Sequence, residues 1–170
     1  MRCHYLLIAA AAAALITASS NQAFAQEQEK QEAEGLAVEA MAGYVARYGA
    51  VVDHYGAVGV AARWYVSPRV SFGPELAFMI GRRRARELTL TGSMVVDFPR
   101  PEAAPFFVVS LGGSRFSDNY GGGGFVVHDA VLLLGGGVRV PLREGWYVAP
   151  EASIGGVGRA RVVVKIGRRR

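Results

Sequence analysis

From Leu36 onward apolar residues recur at every second position, the period of a β-strand, and the 3.6-residue period of a helix is missing. Val58, Val60, Ala62, Trp64 and Val66 fall on one face of a strand, with Ala57, Gly59, Ala61, Arg63 and Tyr65 on the other. Beyond Ser67-Pro68 the alternation resumes, setting Val70, Phe72, Leu76, Phe78 and Ile80 against Ser71, Gly73, Glu75, Ala77 and Met79. Pro74 falls on the apolar face, where its missing N–H calls for a bulge or a local irregularity. The same period continues through Leu88 to Phe98, Phe107 to Leu111, Ala130 to Val140, Trp146 to Ile154 and Ala160 to Ile166. With a weaker first run at about residues 38–48, the pattern predicts eight strands.

Each run has about the 9–11 residues that a tilted strand needs to cross a bilayer. The connections after the second, fourth and sixth strands (Ser67-Pro68; Pro99 to Pro105; Pro141 to Gly145) are marked by proline. Those after the first, third and fifth (Gly49 to Gly56; Gly81 to Ala85; Arg115 to Gly124) carry charge, tyrosine or glycine. An up-and-down membrane barrel with short periplasmic turns and longer outer loops has this asymmetry, with both ends of the mature chain in the periplasm.

A soluble lipocalin-like barrel shares the period with its faces reversed, so the side-chain types must decide. The second face is rich in Gly, Ala, Ser and Thr and carries few charges, which suits the cramped interior of a narrow barrel. Aromatics gather beside the proline-marked turns: Trp64 and Tyr65, Phe98 and Phe106, Trp146 and Tyr147. They are expected to form a girdle at one membrane interface.

Residues 1–25 read as a signal peptide: Arg2 supplies a charge, Leu6 to Ile16 an apolar core, and Ala23-Phe24-Ala25 a small-x-small cleavage site. The single cysteine, Cys3, leaves with it, so the mature chain owes nothing to disulfides or thiolates. Residues 26–35 form a polar, mostly acidic periplasmic lead, residues 36–167 the barrel, and residues 168–170 a basic tail. Past the signal peptide no apolar run approaches the roughly 20 residues of a membrane helix. The formal charge of +5 rests almost wholly on arginine, Lys30 and Lys165 being the only lysines, a composition that disfavours a nucleic-acid binder.

Two hairpins echo each other. Arg63 precedes the pair Pro74-Glu75, and Arg139 precedes Pro150-Glu151 at the same spacing. In each the arginine and the glutamate face the lumen from neighbouring strands. A charge in a narrow low-dielectric lumen must be paired, so Arg63, Glu75, Arg139 and Glu151 are expected to form a lumenal charge network. Arg82, Arg83, Arg84 and Arg86 in the third connection form an outer-loop basic cluster suited to phosphate, and lipopolysaccharide is the candidate partner.

The stretches GVAARWYVSPRVSFGPELAFMIG, LLLGGGVRVPLREGWYVAPEASIGG and ARVVVKIG resemble the OmpA-like and OmpX-like small outer-membrane barrels of Gram-negative bacteria, over Leu36 to Gly167. The resemblance implies an all-β, eight-stranded antiparallel up-and-down transmembrane β-barrel in the cell outer membrane, with a structural or surface-interaction role. It also implies insertion by the barrel-assembly machinery, which reads a C-terminal aromatic residue in that family. Here the last strand runs into Gly167-Arg168-Arg169-Arg170 instead.

No phosphate loop, His-Glu-x-x-His, cysteine pair or Gly-x-Ser-x-Gly elbow occurs, and no cofactor or metal is expected. Gly121 to Gly124 has no helix after it and reads as a loop. His54 and His128 fall in or beside outer loops, so an outer-leaflet lipid hydrolase is the alternative, with Ser114 or Ser117 as nucleophile.

Overall fold

The computed structural model describes residues 35–49, 52–81, 85–98, 103–118, 125–156 and 158–169. The signal peptide, nearly all of the polar lead, Arg82, Arg83, Arg84 and the tetraglycine lie outside the described residues. Eight strands, β1 (Gly35–Tyr48), β2 (Val52–Tyr65), β3 (Val70–Gly81), β4 (Arg86–Asp97), β5 (Ala104–Asp118), β6 (Phe125–Pro141), β7 (Trp146–Gly155) and β8 (Arg159–Arg169), make up the fold. Each pairs antiparallel with its sequence neighbours, and β1 pairs with β8 to close a barrel. Closure leaves no strand edge, so the ladders run within the wall and are interrupted only beside two prolines. The terminal rim carries Gly35, Arg169 and the connections 66–69, 98–103 and 142–145. The other connections lie at the far rim.

The faces are inverted relative to a water-soluble barrel. Leu111 and Ile154 are 65% and 69% exposed on the outside, whereas Arg63 and Glu87 are 1% and 0% exposed inside. Such a wall is stable with hydrocarbon outside and side chains packed within, and it removes the lipocalin-like alternative.

Several strands outrun their apolar alternation. β2 begins at Val52, so His54 lies in a strand, and β5 and β6 extend to Asp118 and from Phe125. The backbone ladder continues between neighbours where side chains no longer alternate, and the far-rim connections shrink to 49–51, 82–85, 119–124 and 156–158. The expected contrast between short turns and long loops is therefore absent. β8 likewise continues through Arg168 and Arg169, paired to Trp146 and Ala37, so these two arginines complete the wall rather than trail as a tail.

Pro74 is accommodated without a bulge. Between β2 and β3 the pairing passes from Ala61↔Glu75 to Trp64↔Phe72 with two steps unpaired and the register unchanged. Pro150 does the same between β6 and β7, where Gly137↔Glu151 is followed by Val140↔Val148. On its other side each proline pairs normally, with Gly92 and Val164. The missing N–H thus interrupts one ladder only.

Candidate functional site

The chemistry-bearing side chains converge in the lumen, because most charged positions of β1, β2, β3, β4, β6, β7 and β8 share the inward phase of the alternation, Arg86 and Arg168 being outward. In its middle, Arg63 Nε donates to Glu39 Oε2 at 2.7 Å, and Arg63 Nη2 lies 3.6 Å from Glu75 Oε2. Glu75 also accepts from Arg161 Nη1, and from Lys165 Nζ at 2.7 Å. Arg161 reaches on to Glu151, with Nη2 2.5 Å from Oε1, and Lys165 Nζ makes an ion contact with Glu151 Oε2 at 2.7 Å. The Tyr147 hydroxyl donates to Glu39 Oε1 at 2.7 Å.

Arg139 behaves unlike its counterpart Arg63. It pairs with Asp97 and stands 3.9 Å from Glu39, and its guanidinium lies over the rings of Tyr147 and Phe106 at 4.8 and 5.4 Å. The expected partnership of Arg139 with Glu151 across one hairpin is not formed. Arg161 and Lys165 already neutralise Glu151, while Asp97 and the aromatic rings draw Arg139 to the terminal rim. Arg63, Glu75, Arg139 and Glu151 nevertheless lie in one connected set, joined through Glu39, Arg161 and Lys165.

Toward the far rim a second set holds Arg47, with Nη1 3.4 Å from Glu87 and Nη2 3.4 Å from Asp129, while Arg159 Nη2 lies 2.5 Å from Glu87. Each set carries equal numbers of positive and negative groups. Met41, Val45, Tyr55, Ala57, Ala77 and Met79 form an apolar lumenal cluster, and Phe116 packs on it beneath the Arg47 guanidinium. These layers stack along the interior of the described barrel.

The aromatic girdle is half of the one expected. Trp64, Phe98 and Trp146 face outward near the terminal rim, but Tyr65, Phe106 and Tyr147 are buried in the lumen. Successive residues of a strand point to opposite faces, so an adjacent aromatic pair cannot both meet lipid. Tyr65 and Tyr147 instead line the terminal mouth with Arg139, Asp97 and Arg169, whose guanidinium lies 4.0 Å over Tyr65.

Of the basic cluster only Arg86 is described; it is exposed and opens β4 at the far rim. Among the described residues no hydrogen bond joins a histidine to a serine, and Ser117, on the outer face, pairs with Val126, one diagonal step from His128. His54 Nδ1 is bonded to the Tyr44 hydroxyl, with their rings stacked at 5.8 Å. Ser114 is buried in the lumen opposite Asp129, whereas His128 is exposed on the outer side opposite Arg115. The wall of the barrel separates that serine from that histidine.

Glu39, Asp97, Arg161 and Lys165 were not singled out by the hairpin echo. Their signal was the same alternation: Arg161 and Lys165 interleave with Val162, Val164 and Ile166, and Glu39 with Val38 and Ala40.

No family model matches the chain, and no curated protein sequence does. Solved structures do match it. Neisserial surface protein A superposes with a TM-score of 0.70 at 12% identity, over 78% of this chain and 96% of that one. The N-terminal β-barrel domain of OprF from Pseudomonas aeruginosa does so at 0.66 and 11%, over 81% and 98%. The outer membrane enzyme PagL reaches 0.50 at 13%, over 78% and 98%. At these identities the likeness establishes architecture: the chain has the fold of the small eight-stranded barrels of outer membranes.

Proposed function

We propose that this chain is an outer-membrane β-barrel of Gram-negative type whose lumen is sealed, with a structural or surface-interaction role and no catalysis. The supporting observation is the lumen itself: Arg63, Lys165, Glu39 and Glu75 are each at most 2% exposed and are held by one another. Ion pairs that close off a narrow low-dielectric interior oppose a continuous water path through it. The barrel-assembly machinery would insert the chain, and lipopolysaccharide phosphates would meet the cluster of Arg82, Arg83, Arg84 and Arg86 at the far rim. In planar bilayers the folded protein should give no conductance steps, and it should fractionate with outer membranes and migrate differently on gels before and after boiling. Regular single-channel steps would overturn the sealed lumen, and recovery in the soluble periplasm would overturn the location.

A further inference from the structure

On β4, β5 and β6 the outward side chains toward the far rim include Arg86, Arg115 and His128, all exposed. Arg115 stands directly across from His128, and Arg86, which pairs with Ser117, is its diagonal neighbour on the other side. The two guanidiniums on one face of the sheet repel, and no described residue forms an ion pair with any of the three.

Below them the wall is hollowed. A depression of 440 Å³ bounded by Leu88, Leu90, Arg115, His128 and Ala130 continues past Leu90 and Gly113 into a groove of 850 Å³. That groove is lined by Phe72, Pro74, Met94 and Leu111, and includes Trp64, whose ring lies 6.3 Å from that of Phe72. Its floor includes Gly92 and Gly113. A Cβ on either would come no closer than 3.9 Å or 3.7 Å to another atom, so close packing does not require glycine there. By contrast a Cβ on Gly73 or Gly112 would fall 1.8 or 2.0 Å from a backbone oxygen.

Two unpaired guanidiniums with an imidazole beside them, above a long apolar groove on a lipid-facing wall, complement the shape and polarity of an amphiphile with an anionic head. We propose that this wall binds a phosphorylated, multiply acylated glycolipid of the outer leaflet, its phosphates on Arg86, Arg115 and His128 and an acyl chain along Gly113 and Gly92. Guanidinium forks suit phosphate, and β4 and β6 stand two strand spacings of about 4.8 Å apart, a span that fits a headgroup bearing more than one phosphate. The site rests on the proposed function, since it needs this wall in lipid and the far rim outward.

The test is native mass spectrometry of the folded full-length barrel in detergent, titrated with diphosphoryl lipid A, phosphatidylglycerol or phosphatidylcholine. The parent should retain lipid A in preference to both phospholipids. Arg115→Gln should weaken lipid A retention about tenfold, the worth of one charge-assisted hydrogen bond. Gly92→Leu and Gly113→Leu should fill the groove and weaken retention, while the heat-dependent gel shift stays as in the parent. Equal retention by parent and all three variants would overturn the site, and phosphatidylglycerol binding as well as lipid A would overturn the glycolipid as its occupant. A parent without a heat-dependent gel shift would remove the membrane-barrel reading, and the site with it.

Discussion

Glu75 on β3 and Glu151 on β7, carried by opposite walls of the barrel, share one ammonium: Lys165 Nζ lies 2.7 Å from an oxygen of each. Arg161, on the same strand β8, makes the same bridge, so two cations tie two walls that no backbone ladder joins. The neutral cluster is a cross-brace, and its worth lies in what removing one member leaves behind.

Glu75 meets three cations, Arg63, Arg161 and Lys165. Glu75→Gln should therefore cost on the order of 3–5 kcal/mol, because the buried charges left behind cannot regain water. Adding Lys165→Met should restore part of that loss by removing an uncompensated charge. Urea unfolding in detergent micelles reads both effects; a single variant as stable as the parent would mean that the brace carries no stability.

Arg139 provides a comparison between the partner it has and the one that the hairpin echo offered. In double-mutant cycles Arg139→Met with Asp97→Asn should show coupling of about 0.5–3 kcal/mol, and Arg139→Met with Glu151→Gln markedly less. The reverse order would place Arg139 against Glu151 in solution.

The eight strands and their inward phase were legible because lipid outside and a packed lumen inside impose a strict period of two. The same rule sets Tyr65 opposite Trp64 and Tyr147 opposite Trp146; grouping these pairs into one girdle by their nearness in sequence overrode it. The choice of partner was not legible. Arg139 selects Asp97 over Glu151 across strands distant in sequence, and this depends on strand tilt and on which carboxylates other cations have taken. The far-rim extensions of β2, β5 and β6 were also hidden, since a ladder outside the membrane needs no alternation.

The β6–β7 turn carries strain that can be relieved. Trp146 N–H donates to the Arg143 carbonyl at 3.0 Å, with Glu144 at φ 53° and Gly145 at φ 77°, the two positive angles of a type I′ hairpin. Glutamate is poorly suited to the first of these positions, and asparagine suits it well. Glu144→Asn should raise stability by roughly 0.5–1 kcal/mol, seen as a higher midpoint in the same urea experiment. A lower midpoint would show that the Glu144 side chain contributes more than its backbone angle costs.

Orientation across the membrane follows from where the wall outgrows its apolar belt. At the far rim the outward faces of β2, β4, β5 and β6 carry His54, Arg86, Arg115 and His128, whereas the terminal rim closes on Trp64, Phe98 and Trp146. Strands that continue past the hydrocarbon project into water, and an even strand number keeps both ends together where an exported chain meets the membrane from inside. The far rim should then face the medium. Past Cys3 the chain has no cysteine, so single cysteines can report on each rim. In intact cells a membrane-impermeant maleimide should label Gly156→Cys in the β7–β8 turn and leave Arg143→Cys in the β6–β7 turn unlabelled until the outer membrane is permeabilised. Labelling of Arg143→Cys alone would invert the barrel, and with it the leaflet from which the proposed glycolipid is drawn.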